Sequence, residues 1–389
     1  MRIVCFVLFF VSLFYSCSNE TKKSNNLLEI HIDIDKNITL PLSEITENIA
    51  AIELELTDEN LINPEDIIKI LLSDSLIFIS EPEHLFVFNI EGKFIRSIGS
   101  KGQGPGEYIR IKSFTFDEKN QIIYINSDGS QILGYDLTGK FLKKITIMKD
   151  VYGGQILGIN YFNNELLLLI ESIRVNENEK INCYHSVIYT ADNEMQLIDS
   201  CFVRDMYFLK GIIRKGRLDD YLTCNKQGIY VYYPELSAFI INSTPSLSQI
   251  SGNIERVLHD TLYRFENNQL VPELKLKFNR KGRDYDGNKN IQLYKIYRSS
   301  RYIFAEYITS LDKNLHFLFC YDTKTGIGYN STKYRDEVNN IEKKVWDRPY
   351  YPLRPISNNT ELFYYLHTHM EPDDLNEPNP TLYIGKLKK

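Results

Sequence analysis

Short apolar runs recur along the chain at the spacing of β-strands, with turn residues between them. The first clear set lies at residues 67–72, 75–79, 85–90 and 93–98, separated by Ser-Asp, Glu-Pro-Glu and Glu-Gly. None of these runs has the length or the 3.6-residue period of a helix. The pattern predicts short antiparallel strands, and an aromatic content of 13%, mostly Tyr and Phe, favours the same conclusion.

The chain also repeats itself at an offset of 47 residues. LFVFNIEGKFIRSI at 85–98 aligns without a gap on ILGYDLTGKFLKKI at 132–145, which places Gly92 on Gly139. A unit of four strands in about 40–50 residues is the size of one propeller blade, which buries its faces only against its neighbours. The repeat therefore predicts a ring of blades, because closing the ring buries these faces and removes exposed sheet edges.

Four further units are weaker copies of this pattern, and they lie at residues 156–202, 228–278, 301–330 and 345–388. A propeller domain of residues 48–389 gives about 57 residues to each of six blades and about 49 to each of seven. The first two units alone favour seven blades, but the separate strand sets number six. The sequence thus predicts an all-β fold, a six-bladed β-propeller of four-stranded antiparallel blades, with seven blades as the weaker alternative.

The N-terminus has the composition of an export signal. Arg2 precedes the apolar run IVCFVLFFVSLFY, and Ser16 and Cys17 follow it. The run is too short to span a bilayer comfortably. The segment resembles a bacterial lipoprotein signal, in which residues 1–16 are removed and Cys17 becomes the acylated first residue. An ordinary signal peptide with an incidental cysteine is the alternative.

Residues 17–47 are predicted to form a tether and a lead-in to the propeller, because SNETKKSNN at 18–26 is polar and lacks aromatic residues. Beyond Cys17 no stretch approaches 18 uninterrupted apolar residues, so no second membrane segment is expected. The acyl groups on Cys17 would make the membrane a partner. We expect a lipid-anchored protein of the bacterial cell envelope, in the outer membrane, with its periplasmic or surface orientation open.

The glycine-rich stretch GSKGQGPGEY at 99–108, followed by a blade that ends YDLTGKFLKKI, is similar to the NHL-repeat class. With LSEI at 42–45 and, later in the chain, DTLYRF, SRYIF and PTLYIGKLK, the mature chain resembles the six-bladed β-propeller lipoproteins of gut Bacteroides-type bacteria. The third, fourth and sixth blades depart from the NHL pattern. The resemblance implies a propeller fold and a cell-envelope location, and the biochemical role of that family is largely uncharacterised.

The charge of the chain and the residues around its glycines argue against nucleic acid and phosphate groups as ligands. A net charge of −6 and the absence of a basic run argue against nucleic acid as a partner. The glycines at 102–106 do not predict a phosphate site, because Pro105 interrupts them and the strand-like residues 109–116 follow where a helix is needed. These glycines are instead predicted to join the outer strand of one blade to the inner strand of the next.

One cluster has residue types that bind metals. His367 and His369 lie two apart in a predicted strand and share a face, and Glu371, Asp373 and Asp374 follow them. Two histidines on the wet face of a strand are more often only solvated, so they are weak candidates and no metal or other cofactor is expected. A metal ion in the central channel stays open as the alternative, because it needs carboxylates that converge from several blades.

The cysteines of the mature chain do not form a metal-binding or redox motif. Their spacings are wide and contain no CxxC pair, so buried free thiols are favoured, and a Cys183–Cys201 disulfide is the alternative. The four residues are Cys183, Cys201, Cys224 and Cys320.

No serine or cysteine has a nucleophile motif such as GxSxG, so the leading hypothesis is a non-catalytic binding module. It would present one face of loops to a protein, peptide or glycan, and aromatic residues such as Trp346 could stack on a sugar. An envelope hydrolase or lyase with a metal in the central channel is the alternative. A structural component of a larger outer-membrane assembly is the third hypothesis.

Overall fold

A computed structural model shows six β-sheets that form the blades of a propeller, as the sequence predicts. Apart from one helical turn, the regular structure of the described chain consists of strands, and no described helix has the length and apolar character needed to cross a membrane. The structure describes residues 27–146, 154–175, 181–192, 196–209, 212–215, 222–225, 227–232, 237–240, 260–281, 290–309, 315–345, 353–368 and 378–389.

The chain enters the fold through three strands that precede the first blade. One helical turn, α1 (Leu42–Ile45), separates the second strand from the third. The three strands are β1 (Leu28–Ile32), β2 (Ile38–Pro41) and β3 (Thr46–Glu53).

Blades 1 and 2 are the two repeats, and each is an antiparallel meander of four short strands. Blade 1 contains β4 (Lys69–Leu72), β5 (Leu76–Ser80), β6 (Leu85–Asn89) and β7 (Phe94–Ser97). Blade 2 contains β8 (Ile111–Asp117), β9 (Ile122–Ser127), β10 (Gln131–Asp136) and β11 (Phe141–Thr146).

Blade 3 has longer strands, and a separate two-stranded sheet accompanies blade 4. Blade 3 contains β12 (Gly154–Phe162), β13 (Glu165–Val175), β14 (Ile181–Ala191) and β15 (Leu197–Leu209). The strands that follow are β16 (Ile212–Lys215), β17 (Leu222–Asn225), β18 (Gly228–Val231), β19 (Ser237–Ile240), β20 (Thr261–Glu266) and β21 (Gln269–Phe278). The separate sheet is the β16–β19 pair, and β17, β18, β20 and β21 form blade 4.

The last two blades complete the ring. Blade 5 contains β22 (Ile291–Arg298), β23 (Tyr302–Thr309), β24 (Leu315–Asp322) and β25 (Gly328–Asp336), with β26 (Ile341–Lys344) beside β25. Blade 6 contains β27 (Arg354–Ile356), β28 (Asn359–His367) and β29 (Thr381–Leu387) from the C-terminal part of the chain. Its fourth and outermost strand is β3, which pairs antiparallel with β29.

The N-terminal strands therefore run along the outer edges of three consecutive blades. β1 adds to blade 4 parallel to β21, with Leu28 opposite Leu274, and β2 adds to blade 5 parallel to β25. β3 then closes the ring on blade 6. We call residues 28–53 the N-terminal strap. Most of this strap lies within the residues that the sequence places in the lead-in, and it covers outer edges that would otherwise be open to pairing with another chain.

Aromatic side chains fill the spaces between blades. The largest fully buried side chains are Tyr and Phe. Between blades 5 and 6, Tyr365 stacks on Tyr383 with ring centroids 4.7 Å apart. Leu40, Leu42 and Ile45 of the strap pack into this same cluster and are fully buried. The strap therefore contributes side chains to the core as well as hydrogen bonds to the sheet edges.

Leu40→Ala is expected to lower the free energy of unfolding by about 2–5 kcal/mol, because it leaves a cavity in the cluster between blades 5 and 6. Ile38→Ala is the matched control on the same strand, since Ile38 is 46% exposed. Its expected cost is below about 1 kcal/mol. Urea unfolding of both variants measures the difference, and equal losses would show that the strap does not pack as described.

Candidate functional site

The two faces of the ring differ in the length of their connections. Successive connections of an antiparallel meander lie at opposite ends of the strands. One face carries the hairpins between first and second and between third and fourth strands, and they span two to five residues. We call it the turn face. The opposite face, which we call the loop face, lies at the strand ends where longer connections begin and end, among them those between β3 and β4, β7 and β8, β18 and β20, β21 and β22, and β28 and β29.

The axis of the ring is bounded by the innermost strands β4, β8, β12, β17, β22 and β27. Each of them pairs with a neighbouring strand on one side only. Their inner edges consequently present backbone N–H and C=O groups toward the axis, and buried groups of this kind need hydrogen-bond partners. The partners found here decide whether the channel is open for ligand chemistry.

Lys69 supplies partners for blades 2 and 3. Its side chain starts on β4 of blade 1 and is only 4% exposed. The ammonium donates to the carbonyl oxygen of Phe114 at 3.0 Å, to Oδ1 of Asn160 at 3.0 Å and to the carbonyl oxygen of Ile159 at 3.5 Å. Hydrogen bonds to a charged donor are stronger than neutral ones, so one side chain ties three innermost strands together.

A tight turn in blade 6 provides the complementary contacts. The carbonyl of Ser357 accepts from the backbone of β17 in blade 4 at 3.0 Å. The side-chain amide of Asn358 donates to the carbonyl of Leu72 in blade 1 at 2.7 Å. The hydroxyl of Thr360 donates to the carbonyl of Arg298 in blade 5 at 2.6 Å. With the lysine, these contacts link all six blades, and we call the whole set the axial network.

The axial network is a set of hydrogen bonds between the blades. Its ammonium lies among oxygens that would otherwise be free to coordinate a cation. Burial raises the pKa of the Cys224 thiol to about 12, and the charge of Lys69 offsets only part of this effect. The thiol therefore stays protonated and unreactive at neutral pH. Among the described residues no group of three His, Cys, Asp or Glu side chains is placed to hold a metal ion.

The residues singled out from sequence as possible ligands are only partly described. His367 ends β28 at the loop face, and its ring lies edge-on to Tyr383 with centroids 6.5 Å apart. The pairing of His367 with His369 stays untested, because His369 lies outside the described residues. The same holds for Cys17, Trp346, Glu371, Asp373 and Asp374.

The glycine-rich stretch joins blade 1 to blade 2, as predicted. Gly99 has a φ of +65°, and a Cβ there would lie 3.0 Å from the rings of both Tyr108 and Tyr135. The hydroxyl of Tyr135 donates to the carbonyl of Gly106 at 2.9 Å. Small residues are thus required because the connection crosses two buried tyrosines, and the stretch is a packed joint between β7 and β8.

Two aspartates at turns show how carboxylates on the turn face bind local backbone amides. Asp136 accepts from the N–H groups of Thr138 at 2.8 Å and Lys140 at 3.0 Å, and the Thr138 hydroxyl is the main cause of its lowered pKa. Asp322 holds the equivalent position in blade 5. A two-pronged ion pair with Arg301, at 2.9 and 2.6 Å, keeps the pKa of Asp322 well below its usual range. These acids stabilise turns of the turn face.

The cysteines agree with the favoured interpretation from sequence. All four described cysteines are buried free thiols. Cys183 and Cys201 lie on neighbouring strands of blade 3 without a disulfide between them. These thiols therefore serve as small apolar side chains in the spaces between blades.

One buried acid at the loop face has no signal in the sequence, where Glu-Pro-Glu indicates only a turn. Glu81 follows β5 and is 6% exposed. Its Oε1 accepts from the backbone N–H of Asn63 at 2.7 Å. Burial raises the pKa of Glu81 to about 7, and the nearby charge of Asp66 adds to the shift. Glu81 thus links the connection between β3 and β4 to blade 1. The charged form of this buried carboxylate lowers the stability of the folded protein.

The sequence matches the family model described as a domain of unknown function, DUF4934, over residues 27–388. Because the match covers nearly the whole chain, the protein belongs to this family. No curated protein sequence matches the chain significantly.

Solved structures share the fold at low sequence identity. A Bacteroides fragilis protein described as exported aligns with a TM-score of 0.62 and 17% identity, over 93% of this chain and 100% of that one. The WD40 domain of Neurospora crassa Pan2 aligns with a TM-score of 0.42 and 10% identity, over 91% of this chain and 89% of that one. The first similarity supports the propeller fold, and the second is too weak to carry an argument.

Glu81→Gln is expected to stabilise the protein above pH 7 and to have little effect near pH 4. The pKa of Glu81 is raised from 4.5 to about 7 on folding, so the folded state binds the proton more tightly and stability falls as pH rises between these values. The amide keeps the acceptor for Asn63 without the charge. Its gain at pH 8 is at most about 3 kcal/mol.

Unfolding temperatures of both proteins from pH 4 to pH 8 measure this effect, with Glu118→Gln at an exposed turn as the control. A gain that is the same at pH 4 and pH 8 would contradict a charge-dependent cost at Glu81.

Proposed function

We propose that this chain is a lipid-anchored binding module of the bacterial cell envelope, which presents its loop face to a protein, peptide or glycan. The observation that carries the proposal is the contrast between the two faces. The turn face has short hairpins, and the loop face collects the long connections. Long connections on a rigid scaffold are where binding residues concentrate.

The closed axis supports the same proposal. Lys69 and the turn at 357–360 satisfy the inner strand edges with contacts between blades. A ligand at the axis would have to displace these bonds, at a cost of about 1–3 kcal/mol for each buried group left without a partner. The surface above the closure is free of this cost. We therefore assign ligand binding to the loop face and do not carry forward a metal-dependent hydrolase in the channel.

The N-terminus supports anchoring. The first strand of the strap begins at Leu28, so eleven residue steps separate it from Cys17. A fully extended chain of this length reaches about 35–40 Å. Acylation of Cys17 would thus hold the propeller within about its own diameter of the membrane. The Bacteroides fragilis protein of similar fold is described as exported, and we extend an extracytoplasmic location, with the outer membrane as the expected site, to this chain.

The binding proposal is tested by changing one face at a time in the full-length chain. One variant replaces residues 369–377, which connect β28 to β29, with a Gly-Ser sequence of equal length. Its control carries Glu118→Ser and Lys119→Ser on the turn face, where both residues are exposed. Glycan and peptide arrays identify a bound probe, and surface plasmon resonance then measures its affinity. We expect the loop-face variant to bind at least about tenfold more weakly and the control to bind unchanged.

An equal loss in both variants, or a loss only in the turn-face control, would contradict the assignment of the binding face. Cys17→Ala separates anchoring from binding, since it is expected to move the protein from the membrane fraction to the soluble fraction without changing its affinity. Retention of that variant in the membrane fraction would overturn the lipid anchor alone.

A further inference from the structure

Blade 3 carries a row of polar residues across all four of its strands. Gly154 of β12 is paired with Ser172 of β13, Ser172 with His185 of β14, and His185 with Asp205 of β15. Cross-strand partners have Cβ atoms about 4.5–5.5 Å apart. The register therefore places a serine, a histidine and an aspartate side by side, in that order from the axis outward.

The three side chains share one face of the sheet. Residues alternate between the two faces of a strand, and Leu168 and Ile170 of β13 pack with Ala191 of β14 in the cluster between blades 2 and 3. Ser172 lies two residues after Ile170, and His185 lies six residues before Ala191. Both therefore lie on the face toward blade 2, near the loop-face ends of their strands.

His185 is held in a defined orientation. Its Nδ1 lies 2.6 Å from Oδ1 of Asp205, and its ring stacks on Phe202 with centroids 5.4 Å apart. In the neutral imidazole a proton on Nδ1 leaves a lone pair on Nε2. The two nitrogens point away from each other across the ring, so Nε2 is directed away from Asp205 on β15, and Ser172 lies on the opposite neighbouring strand, β13.

The row is accessible to solvent. Ser172 is half-buried, and the side chains of His185 and Asp205 are 18% and 30% exposed. The neighbour of Ser172 on the axial side is Gly154, which has no side chain to cover it. Phe202 is 56% exposed and adds an apolar surface beside the histidine. The serine end of the row thus has no side chain from its β12 partner beside it.

The neighbouring pair of blade 3, Glu171 and Ser186, is a polar contact with a structural role. Ser186 lies beside His185 in sequence, on the opposite face, and is 2% exposed. Its hydroxyl donates to the buried carboxylate of Glu171 at 3.1 Å. That serine is enclosed and its hydroxyl is used, whereas Ser172 is open and lies beside a histidine that an acid orients.

We propose that Ser172, His185 and Asp205 form a serine-type acyl-transfer site at the loop face, for esters with an apolar acyl group. Ser172 is the nucleophile, His185 the general base, and Asp205 a positioning residue that fixes the imidazole tautomer. The exposed ring of Phe202 provides the surface for the acyl group. This inference goes beyond the binding function and does not depend on it.

The proposed reaction is balanced without a cofactor. Ser172 Oγ attacks the ester carbonyl carbon and its proton passes to Nε2 of His185, which then protonates the departing alcohol as the C–O bond breaks. Water attacks the acyl-serine ester with His185 again as the base. The carboxylic acid leaves, and the serine recovers its proton.

The test uses the full-length chain, a biotinylated fluorophosphonate as the serine probe and p-nitrophenyl butyrate as the ester. We expect the probe to label Ser172, identified by peptide mass spectrometry, and Ser172→Ala to abolish both labelling and hydrolysis. His185→Gln is expected to lower the rate about 10²- to 10⁴-fold. Ser130→Ala is the matched control and is expected to keep the wild-type rate. Ser130 is a half-buried serine in the turn between β9 and β10 of blade 2, which lies at the loop face.

Further variants separate chemistry from folding. Ser172→Cys should react with iodoacetamide faster than Ser130→Cys, and His185→Gln should remove this advantage. Asp205→Asn is expected to slow hydrolysis and Asp205→Glu to recover part of the rate.

Absence of labelling in the folded wild type, labelling of another serine, or a rate unchanged by His185→Gln would each overturn the acyl-transfer site. None of these outcomes affects the loop-face assignment, because that experiment measures binding and not turnover.

Discussion

The free inner edges of the six innermost strands impose the constraint on which the rest of this propeller depends. Backbone groups at these edges are buried and need partners, and a ring of this size brings them close to one axis. Lys69 bridges blades 1, 2 and 3, and the turn at 357–360 joins blades 1, 4 and 5 to blade 6. These contacts connect the blades around the axis. We therefore propose that function lies at the loop face, where the Ser172 row is found.

Ring closure is shared between both ends of the chain. β3 completes blade 6, while β1 and β2 extend blades 4 and 5 by one strand each. Nothing in the sequence pattern indicates that β1 and β2 are strands of later blades. Leu28 pairs with Leu274, and no local pattern reports a partner so distant. The strap is a property of tertiary packing, which short-range propensity does not reveal.

The fold was predictable from sequence where the pattern is local, and the site was not. The strands of the repeat at 85–98 and the number of blades follow from periodicity and from the turn residues between the strands. By contrast, Lys69 begins the apolar run KILL and resembles any strand-end lysine. Ser172, His185 and Asp205 lie in no motif, since strand register alone aligns them. The innermost strands β17 and β22 lay outside the predicted strand sets, because β17 is only four residues long and β22 mixes polar residues among apolar ones.

The account makes the axial network the structural centre of the ring, and Lys69→Met tests this claim most directly. Urea unfolding should show a loss of about 2–4 kcal/mol, because the carbonyl of Phe114 and the amide of Asn160 lose a buried donor. Asn160→Leu in the same background should give a coupling energy above about 1 kcal/mol. Lys112→Met, at a partly exposed lysine of β8, should change stability by less than about 0.5 kcal/mol. Equal effects of Lys69→Met and Lys112→Met would contradict the account.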